Sequence, residues 1–282
     1  MSMNDLAILW KEEGETPLGC IERARGEGRI PDGEKATYAG RLDPMAEGVL
    51  LVLVGDGVYQ KDEYLKLSKE YEVEVLIGVS SDTGDILGII EEVNNNVFLS
   101  RDSSSPRISQ RRIIFENEVA GPDYEESRDG DFLNRIQNTL IQCTGEFDEP
   151  YPMYSSRPVE GEPLFAWARL GEEVEVPKHK VKIDSITLEN IRVEKLTDLE
   201  NEIISRIEKV MGDFRQQKIV EVWRDKISEN NDANVVIARI KVSCESGAYM
   251  RVLAEKIARE LGFPGLAYRI IRTKLGTYGR NS

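Results

Sequence analysis

Carboxylates, tyrosines and basic side chains are the groups of this sequence that could carry out chemistry. The chain has one histidine, His179, and three widely separated cysteines without a C-x-x-C pair. This composition excludes histidine-rich metal sites and a disulfide framework, and it fits a reducing compartment. His179 lies among charged residues, so we expect an exposed surface side chain and no metal site.

Asp43 is the first candidate for a catalytic group. It stands in TYAGRLDPMAEG, directly before the apolar run at residues 49–54, and Pro44 favours an extended or turn conformation for it. A carboxylate at the mouth of a buried strand is well placed for catalysis on a rigid scaffold. The structural alternative is an Asp-Pro turn that only starts the strand.

Further residues could assist such a carboxylate. Arg251 falls in the first turn of a helix predicted after ESGAY, where its guanidinium could bind the carboxylate through paired hydrogen bonds; a phosphate or surface contact is the alternative. Tyr71 opens an alternating strand, in which a half-buried aromatic is also ordinary. Asp82 and Asp85 frame the turn DTGD, where carboxylates are common for local reasons.

The elements that position these residues follow from periodicity. VLLVLV predicts a strand buried on both faces, whereas YEVEVLIGV and VVIARIKVSC alternate as half-buried strands do. Helical stripes follow ESGAY and run through LENEIISRIEKVM. We predict one α/β (α+β) domain over residues 1–282, with a mixed, largely antiparallel sheet flanked by helices. Residues 94–130 are predicted to be a flexible insertion and residues 195–232 a helical insertion.

Composition restricts the class of protein and its partners. The longest apolar run has six residues, about a third of a membrane span, and no basic leader precedes it, so we expect a cytoplasmic protein. The net charge of −14 counts against a nucleic-acid partner. Basic clusters such as residues 251–280 nevertheless provide local positive charge, although solvated faces are the simpler interpretation of each cluster.

The order of these motifs resembles the TruB-type pseudouridine synthases. TYAGRLDPMAEGVLLVLVG is similar to the family's G-H-x-G-x-L-D-P-x-A-x-G block, and KEYEVEVLIGVSSDTGD to its second block. EPYPMYSSRPVEGEPLFAWARLG resembles the third, with its P-x-Y-S core. VSCESGAYMRVLAEKIARELG and AYRIIRTKLG resemble the fourth and the last. Five ordered blocks over nearly the whole chain make the resemblance specific.

The resemblance implies a fold, an activity and a role for each matched residue. It implies a pseudouridine-synthase-like fold that flips a uridine out of tRNA, commonly the T-loop uridine at position 55, and isomerises it without a cofactor. Asp43 would be the catalytic aspartate, Tyr71 the aromatic stacked on the base, and Arg251 the partner of Asp43. The expected substrate-binding residues are Tyr38, Arg41, Asp85, Tyr154 and Arg272.

Several positions depart from the family pattern. Tyr38 replaces the usual histidine, and the usual K-P is Lys11-Glu12. The chain ends ten residues after Arg272, so we expect no C-terminal RNA-binding module of the PUA type and a monomeric enzyme. Two alternatives stay open. One is a tRNA-binding or tRNA-folding protein without catalysis, and the other is a glycoside hydrolase that pairs Asp43 with Asp82 or Asp85.

Overall fold

The computed structural model describes residues 5–94, 97, 113–114 and 128–280. The predicted insertion at 94–130 therefore lies almost entirely outside the described residues. The strands of the described part are β1 (Leu6–Lys11), β2 (Ala36–Ala39), β3 (Ala46–Val54), β4 (Lys69–Ile77), β5 (Val79–Ser81), β6 (Ile90–Val93), β7 (Ile113–Ile114), β8 (Gly145–Pro150), β9 (Pro158–Val159), β10 (Glu162–Pro163), β11 (Lys178–Lys195), β12 (Asn234–Cys244), β13 (Gly265–Leu275) and β14 (Tyr278–Gly279). Its helices are α1 (Pro17–Gly26), α2 (Lys61–Leu65), α3 (Arg128–Gln142), α4 (Leu164–Leu170), α5 (Leu196–Glu208), α6 (Gln216–Glu229) and α7 (Met250–Glu260), with a 3₁₀ turn at Gly55–Gln60.

One large sheet organises this part of the chain. Its strand order is β1-β3-β13-β4-β12-β11-β7, with β2 on β3, β8 on β11 and β14 on β13. The pair β3 and β13 is parallel, and the other pairs of this sheet are antiparallel. The mixed, largely antiparallel sheet predicted from the sequence is therefore confirmed.

Helices pack against both faces of the central strands β4 and β12, although charged side chains such as Glu72 and Lys241 stay partly or fully exposed on one face. The face that carries Tyr71 and Val242 packs against α3 and α7, whereas the face that carries Leu76 and Ile237 packs against α5 and α6. The apolar stripes predicted for α5 and α7 point into these two cores. Alternation along these strands thus assigns their buried apolar side chains to two helical layers.

Strand β3 has no polar face, and the structure shows why. Leu50 and Val52 pack with α1 in one cluster, while Leu51 and Leu53 pack with Tyr64 of α2 in another. The double burial predicted from VLLVLV is confirmed. It fixes the strand that follows Asp43, and so it anchors one end of the loop that carries this carboxylate.

Residues 195–232 contain the two helices α5 and α6, which pack against each other and against β12. That this helical pair is an insertion into the domain stays a prediction, as does the single-domain organisation. In the described part of the chain, no helix is both long enough and apolar enough to cross a membrane.

Candidate active site

Asp43 lies in the loop between β2 and β3. On one side, hydrogen bonds to the carbonyl groups of this loop hold it in place. The amide of Gly14 donates to the carbonyl of Pro44 at 2.8 Å. The ammonium of Lys11, which is fully buried, donates to the carbonyls of Pro44 at 3.3 Å and Ala46 at 2.6 Å. Burial lowers the pKa of Lys11 to about 8, against the attraction of Glu15 and Asp43.

Arg272 of β13 holds the other side of the loop. Its guanidinium is fully buried and donates to the carbonyls of Gly40 at 3.0 Å, Arg41 at 3.3 Å and Val49 at 2.9 Å. Gly48 permits this approach, because a Cβ there would lie 2.2 Å from the Arg272 carbonyl oxygen. The contacts of Arg272 predict a positioning role for the Asp43 loop, although this residue also lines the cavity described below.

Arg251, in the first turn of α7 as predicted, joins three separate segments. Its Nε donates to Asp43 Oδ2 at 2.8 Å, Nη2 donates to the carbonyl of Tyr154 at 3.0 Å, and Nη1 donates to the carbonyl of Thr83. The paired hydrogen bonds expected between Arg251 and Asp43 are therefore absent, since one nitrogen serves the carboxylate and two serve backbone carbonyls. This guanidinium fastens two loops to the Asp43 carboxylate.

Asp85 is the second carboxylate beside this guanidinium, with Oδ2 at 3.8 Å from Arg251 Nε. Its Oδ1 accepts hydrogen bonds from the amide of Leu87 at 2.9 Å and the hydroxyl of Thr83 at 2.8 Å. Burial raises the pKa of Asp85 to about 6, although Arg251 acts in the opposite direction. Burial by itself lowers the pKa of Arg251, but Asp43 and Asp85 outweigh it and raise that pKa. Arg251 consequently stays charged.

A first cavity of about 190 Å³ opens beside Asp43. Tyr71 lines it and is 6 % exposed, and burial raises the pKa of its phenol. Lys69 also lines it, and burial, reinforced by Arg272, lowers the pKa of this lysine to about 8. The remaining walls come from the turn 246–249, from Ile270 and from the β2–β3 loop. This arrangement forms a ring-sized slot with a carboxylate at its edge.

A second cavity of about 300 Å³ lies across Asp43 and Arg251, which line both cavities together with Arg41, Ser155 and Ser156. Its other walls include Tyr154, Phe165, Arg169, Phe214 and Arg215. Four arginines, Arg41, Arg169, Arg215 and Arg251, thus face it, against the acidic side chains of Asp43 and Asp85.

The structure places some of the residues expected to bind substrate at the two cavities and others away from them. Arg41 lines both cavities, with Nε at 3.9 Å from Asp43 Oδ1. Tyr154 lines the second cavity, and its hydroxyl donates to Asp82 Oδ2 at 2.9 Å. Tyr38 is half-buried and packs against the core cluster beside β3; the Lys61 ammonium lies 5.4 Å from its ring centre, and Tyr38 lines neither cavity.

His179 was expected on the surface, and that expectation is wrong. The ring is half-buried and stacks on Tyr151 with centroids 4.0 Å apart, while Nε2 lies 3.1 Å from the carbonyl oxygen of Gly247. Tyr249, which lines the first cavity, meets both rings edge-on. Residues 151, 179 and 249 share no sequence motif, so only the folded chain brings this aromatic group together.

Comparisons with known proteins identify the family to which the chain is similar. The model of the TruB family pseudouridylate synthase, N-terminal domain, matches residues 29–110 and 124–208. The chain is 27% identical over 276 residues to tRNA pseudouridine synthase B of Limosilactobacillus reuteri and 26% identical to that of Listeria welshimeri serovar 6b. These matches cover 98% of this chain and 68% and 67% of those proteins.

A similar solved structure is a crystal structure of a Cbf5-Nop10-Gar1 complex, with a TM-score of 0.50 and 15% sequence identity. The match covers 98% of this chain and 50% of that one, so the chain spans about half the length of its structural relative. At this identity the likeness supports the fold alone. Within the described residues, no cluster of His, Cys, Asp and Glu side chains is arranged to hold a metal ion.

Proposed function

The chain belongs to the TruB family of pseudouridylate synthases, whose model matches more than half of its residues, and from that premise we propose that it converts a uridine of tRNA into pseudouridine. The tRNA substrate is supported by the names of its relatives, which are tRNA pseudouridine synthases B. Within tRNA, we propose the T-loop uridine at position 55 as the target.

One observation carries this proposal: the Asp43 carboxylate stands at the edge of a ring-sized cavity and is held by Arg251 at 2.8 Å. Isomerisation of uridine breaks the bond between C1′ and N1, forms a bond between C1′ and C5, and moves the C5 proton to solvent while N1 gains one. An ionised carboxylate beside the ribose assists by adding to C1′ or by removing a neighbouring proton. Both routes fit the position of Asp43.

Tyr71 supplies a ring beside the reacting base. Its side chain lines the first cavity from the floor formed by β4, and burial keeps its phenol protonated. A duplex or a folded loop hides its bases, so the enzyme extrudes the uridine and stacks it on an aromatic or apolar surface. We therefore assign to Tyr71 the wall on which the extruded uracil rests.

Buried cations around the carboxylate hold it in position. Lys11 and Arg272 bind carbonyls on the two sides of the Asp43 loop, and Arg251 binds the carboxylate itself. Asp85 balances the charge of Arg251. Arg41 is 44% exposed and lies at the mouth of both cavities, so we assign it to a phosphate of the RNA. We propose that the enzyme acts as a monomer.

Replacing the Asp43 carboxylate tests the proposal. Asp43→Asn keeps the size of the side chain and removes its charge, so this variant should bind an unmodified tRNA transcript and form no detectable pseudouridine. Asp225→Asn, on the exposed surface of α6, is the matched control and should leave turnover unchanged. Carbodiimide modification followed by primer extension maps the product. Turnover by Asp43→Asn at a tenth of the wild-type rate, about 1.4 kcal/mol of barrier, would contradict the assignment.

The same experiment separates the alternatives. A wild-type protein that binds the transcript and never forms pseudouridine would be a tRNA-binding protein without catalysis. A glycoside hydrolase would require a free second carboxylate near Asp43, yet Asp82 is bound by Arg215 at 3.0 Å and by the Tyr154 hydroxyl. Asp85 is bound through both of its oxygens. Neither aspartate therefore offers the free carboxylate that a glycoside hydrolase needs as its second catalytic group.

A further inference from the structure

The loop between β1 and α1, residues 12–16, lies between the Asp43 loop and the C-terminal end of α5. On one side, the amide of Gly14 donates to the carbonyl of Pro44 at 2.8 Å. On the other side, the carbonyl of Gly14 accepts a hydrogen bond from the amide of Met211 at 2.8 Å. One residue thus connects the backbone next to Asp43 with the segment that follows α5.

Gly14 allows the β1–α1 loop to approach α5 closely. Its φ is 90°, in the region that favours glycine, and a Cβ at this residue would lie 2.8 Å from the carbonyl oxygen of Lys209. The loop and the end of α5 are therefore in backbone contact, with no side chain between them. A displacement of α5 would move Gly14 and, with it, the hydrogen bond to Pro44.

An ion pair between Glu13 and Arg206, in the last turn of α5, holds the same contact. Arg206 Nε donates to Glu13 Oε1 at 2.9 Å, and Nη2 donates to Oε2 at 2.8 Å. Nη2 also donates to the carbonyl of Tyr268 in β13 at 2.7 Å. Arg206 is 6% exposed. Because both charges lose water, such a pair adds little net stability compared with apolar side chains, but its paired hydrogen bonds fix the relative orientation of the two segments.

The helices α5 and α6 also support the two carboxylate loops from within the core. Met45, two residues after Asp43, is 2% exposed and belongs to the apolar cluster formed by the buried faces of these helices. Ile86, which follows Asp85, belongs to the same cluster. The position of α5 therefore bears on both carboxylates through packing, and on Asp43 through the β1–α1 loop as well.

We infer that Glu13 and Arg206 are positioning residues for the reaction: their ion pair holds α5 against the β1–α1 loop, and Gly14 links this contact to the backbone beside Asp43. This inference rests on the proposed function, because it gives the pair a role in the chemistry at Asp43. Neither residue lines either cavity, so the pair acts through the loop. Reaction rates are sensitive to such positions, since a misplacement of about 1 Å can cost roughly 100-fold.

Glu13→Gln tests this role with a small change. The amide keeps the size of the side chain and one acceptor, but it loses the charge and the second acceptor of the paired hydrogen bonds. The matched control is Glu74→Gln. Glu74 forms the same paired hydrogen bonds with Arg192, at 2.9 and 3.1 Å, and it lines neither cavity. Single-turnover assays at saturating enzyme give the chemical rate, filter binding of a tRNA transcript gives Kd, and urea gives the free energy of unfolding.

A positioning pair predicts a loss of rate without a loss of affinity. Glu13→Gln should lower the single-turnover rate by roughly 10- to 100-fold and leave Kd unchanged. Both Glu13→Gln and Glu74→Gln should lower the free energy of unfolding, but Glu74→Gln should keep the wild-type rate. Arg206→Lys combined with Glu13→Gln should be little slower than either single variant, because each change already breaks the pair. If Arg206→Lys does not fold, the comparison of the two glutamine variants decides alone.

The other outcomes overturn the inference. An unchanged rate for Glu13→Gln, or an equal loss of rate for Glu74→Gln, would show that the pair does not position Asp43. A weaker Kd with an unchanged rate would assign the pair to RNA binding, and additive losses in the double variant would show that the two residues act separately. A wild type that binds the transcript and forms no pseudouridine refutes the proposed function and the positioning role together. A wild type that forms it no faster than Glu13→Gln refutes the positioning role alone.

Discussion

Replacing Arg251 by lysine perturbs the site while retaining its positive charge. The guanidinium is 3% exposed and donates to three oxygens: Asp43 Oδ2 at 2.8 Å, the carbonyl of Tyr154 at 3.0 Å and the carbonyl of Thr83. These oxygens belong to three segments that meet around one planar group. A lysine ends in a single nitrogen on a flexible stem, so it cannot reproduce all three contacts.

The expected magnitude follows from the contacts that are lost. If the lysine ammonium keeps the hydrogen bond to the Asp43 carboxylate, the two hydrogen bonds from a charged donor to the carbonyls of Thr83 and Tyr154 are lost. Each such bond contributes about 1.5 to 3 kcal/mol, which gives a loss of about 3 to 6 kcal/mol. Part of this loss appears as lower stability of the loops around the cavities. The remainder should lower the chemical rate by at least roughly 100-fold, about 2.7 kcal/mol of barrier.

The assay is single-turnover conversion of a tRNA transcript at saturating Arg251→Lys, with unfolding by urea measured in parallel. Arg259→Lys makes the same exchange at an exposed position of α7 and should leave both quantities unchanged. A near-normal rate combined with weaker RNA binding would refute this reasoning. It would assign Arg251 to phosphate binding, where a lysine substitutes well.

Three further predictions test other parts of the site. Tyr71→Phe should keep tRNA affinity, whereas Tyr71→Ala should lose about 1 to 3 kcal/mol of it; equal affinities would make this tyrosine structural. Asp85, with its pKa raised to about 6 by burial, takes up a proton as the pH falls through 6, which weakens its hold on Arg251. The single-turnover rate should therefore fall below that pH, and Asp85→Asn should remove this pH dependence. Gly48→Ala should lower the free energy of unfolding in urea by at least about 2 kcal/mol, because φ is 124° and a Cβ would meet the Arg272 backbone. Gly26→Ala, in open space within α1, should raise it by about 0.5 to 1 kcal/mol.

The buried faces of strands and helices were predictable from the sequence wherever apolar residues recur with a single period. Tyr71 and Val242, predicted to share core faces with alternate residues of their strands, are cross-strand neighbours in the sheet. The parallel pairing of β3 with β13 was not predictable, because the two strands lie more than 200 residues apart and their register is set at Gly48 by tight contact with Arg272. Alternation of apolar and polar residues shows which face of a strand is buried, but it does not show which strands pair with it.

The sequence predicted which charged residues form the site, but it did not predict how these residues contact one another. Sequence motifs brought forward Asp43, Arg251 and Asp85, and the fold places them in one cluster. The three-way sharing of Arg251 was missed because two of its partners are backbone carbonyls, which every residue carries. Phe214 lies in the segment GDFRQQK, between the third and fourth motif blocks, and no motif indicates that its ring lines a cavity. His179 was misjudged because its charged neighbours in sequence are not its neighbours in space.

The net charge of −14 is a poor guide to the partner of this protein because buried and exposed cations act differently. Arg272 and Lys11 donate to backbone carbonyls, so their charges stabilise a loop and add nothing to the exposed positive surface. Arg41 and Arg169 are exposed at the cavities, and within the described residues their one ion pair is the 3.9 Å contact between Arg41 Nε and Asp43 Oδ1. At physiological salt, charges more than about 8 Å away are largely screened. Two such arginines beside an apolar ring therefore matter more to a nearby phosphate than the acidic surface elsewhere.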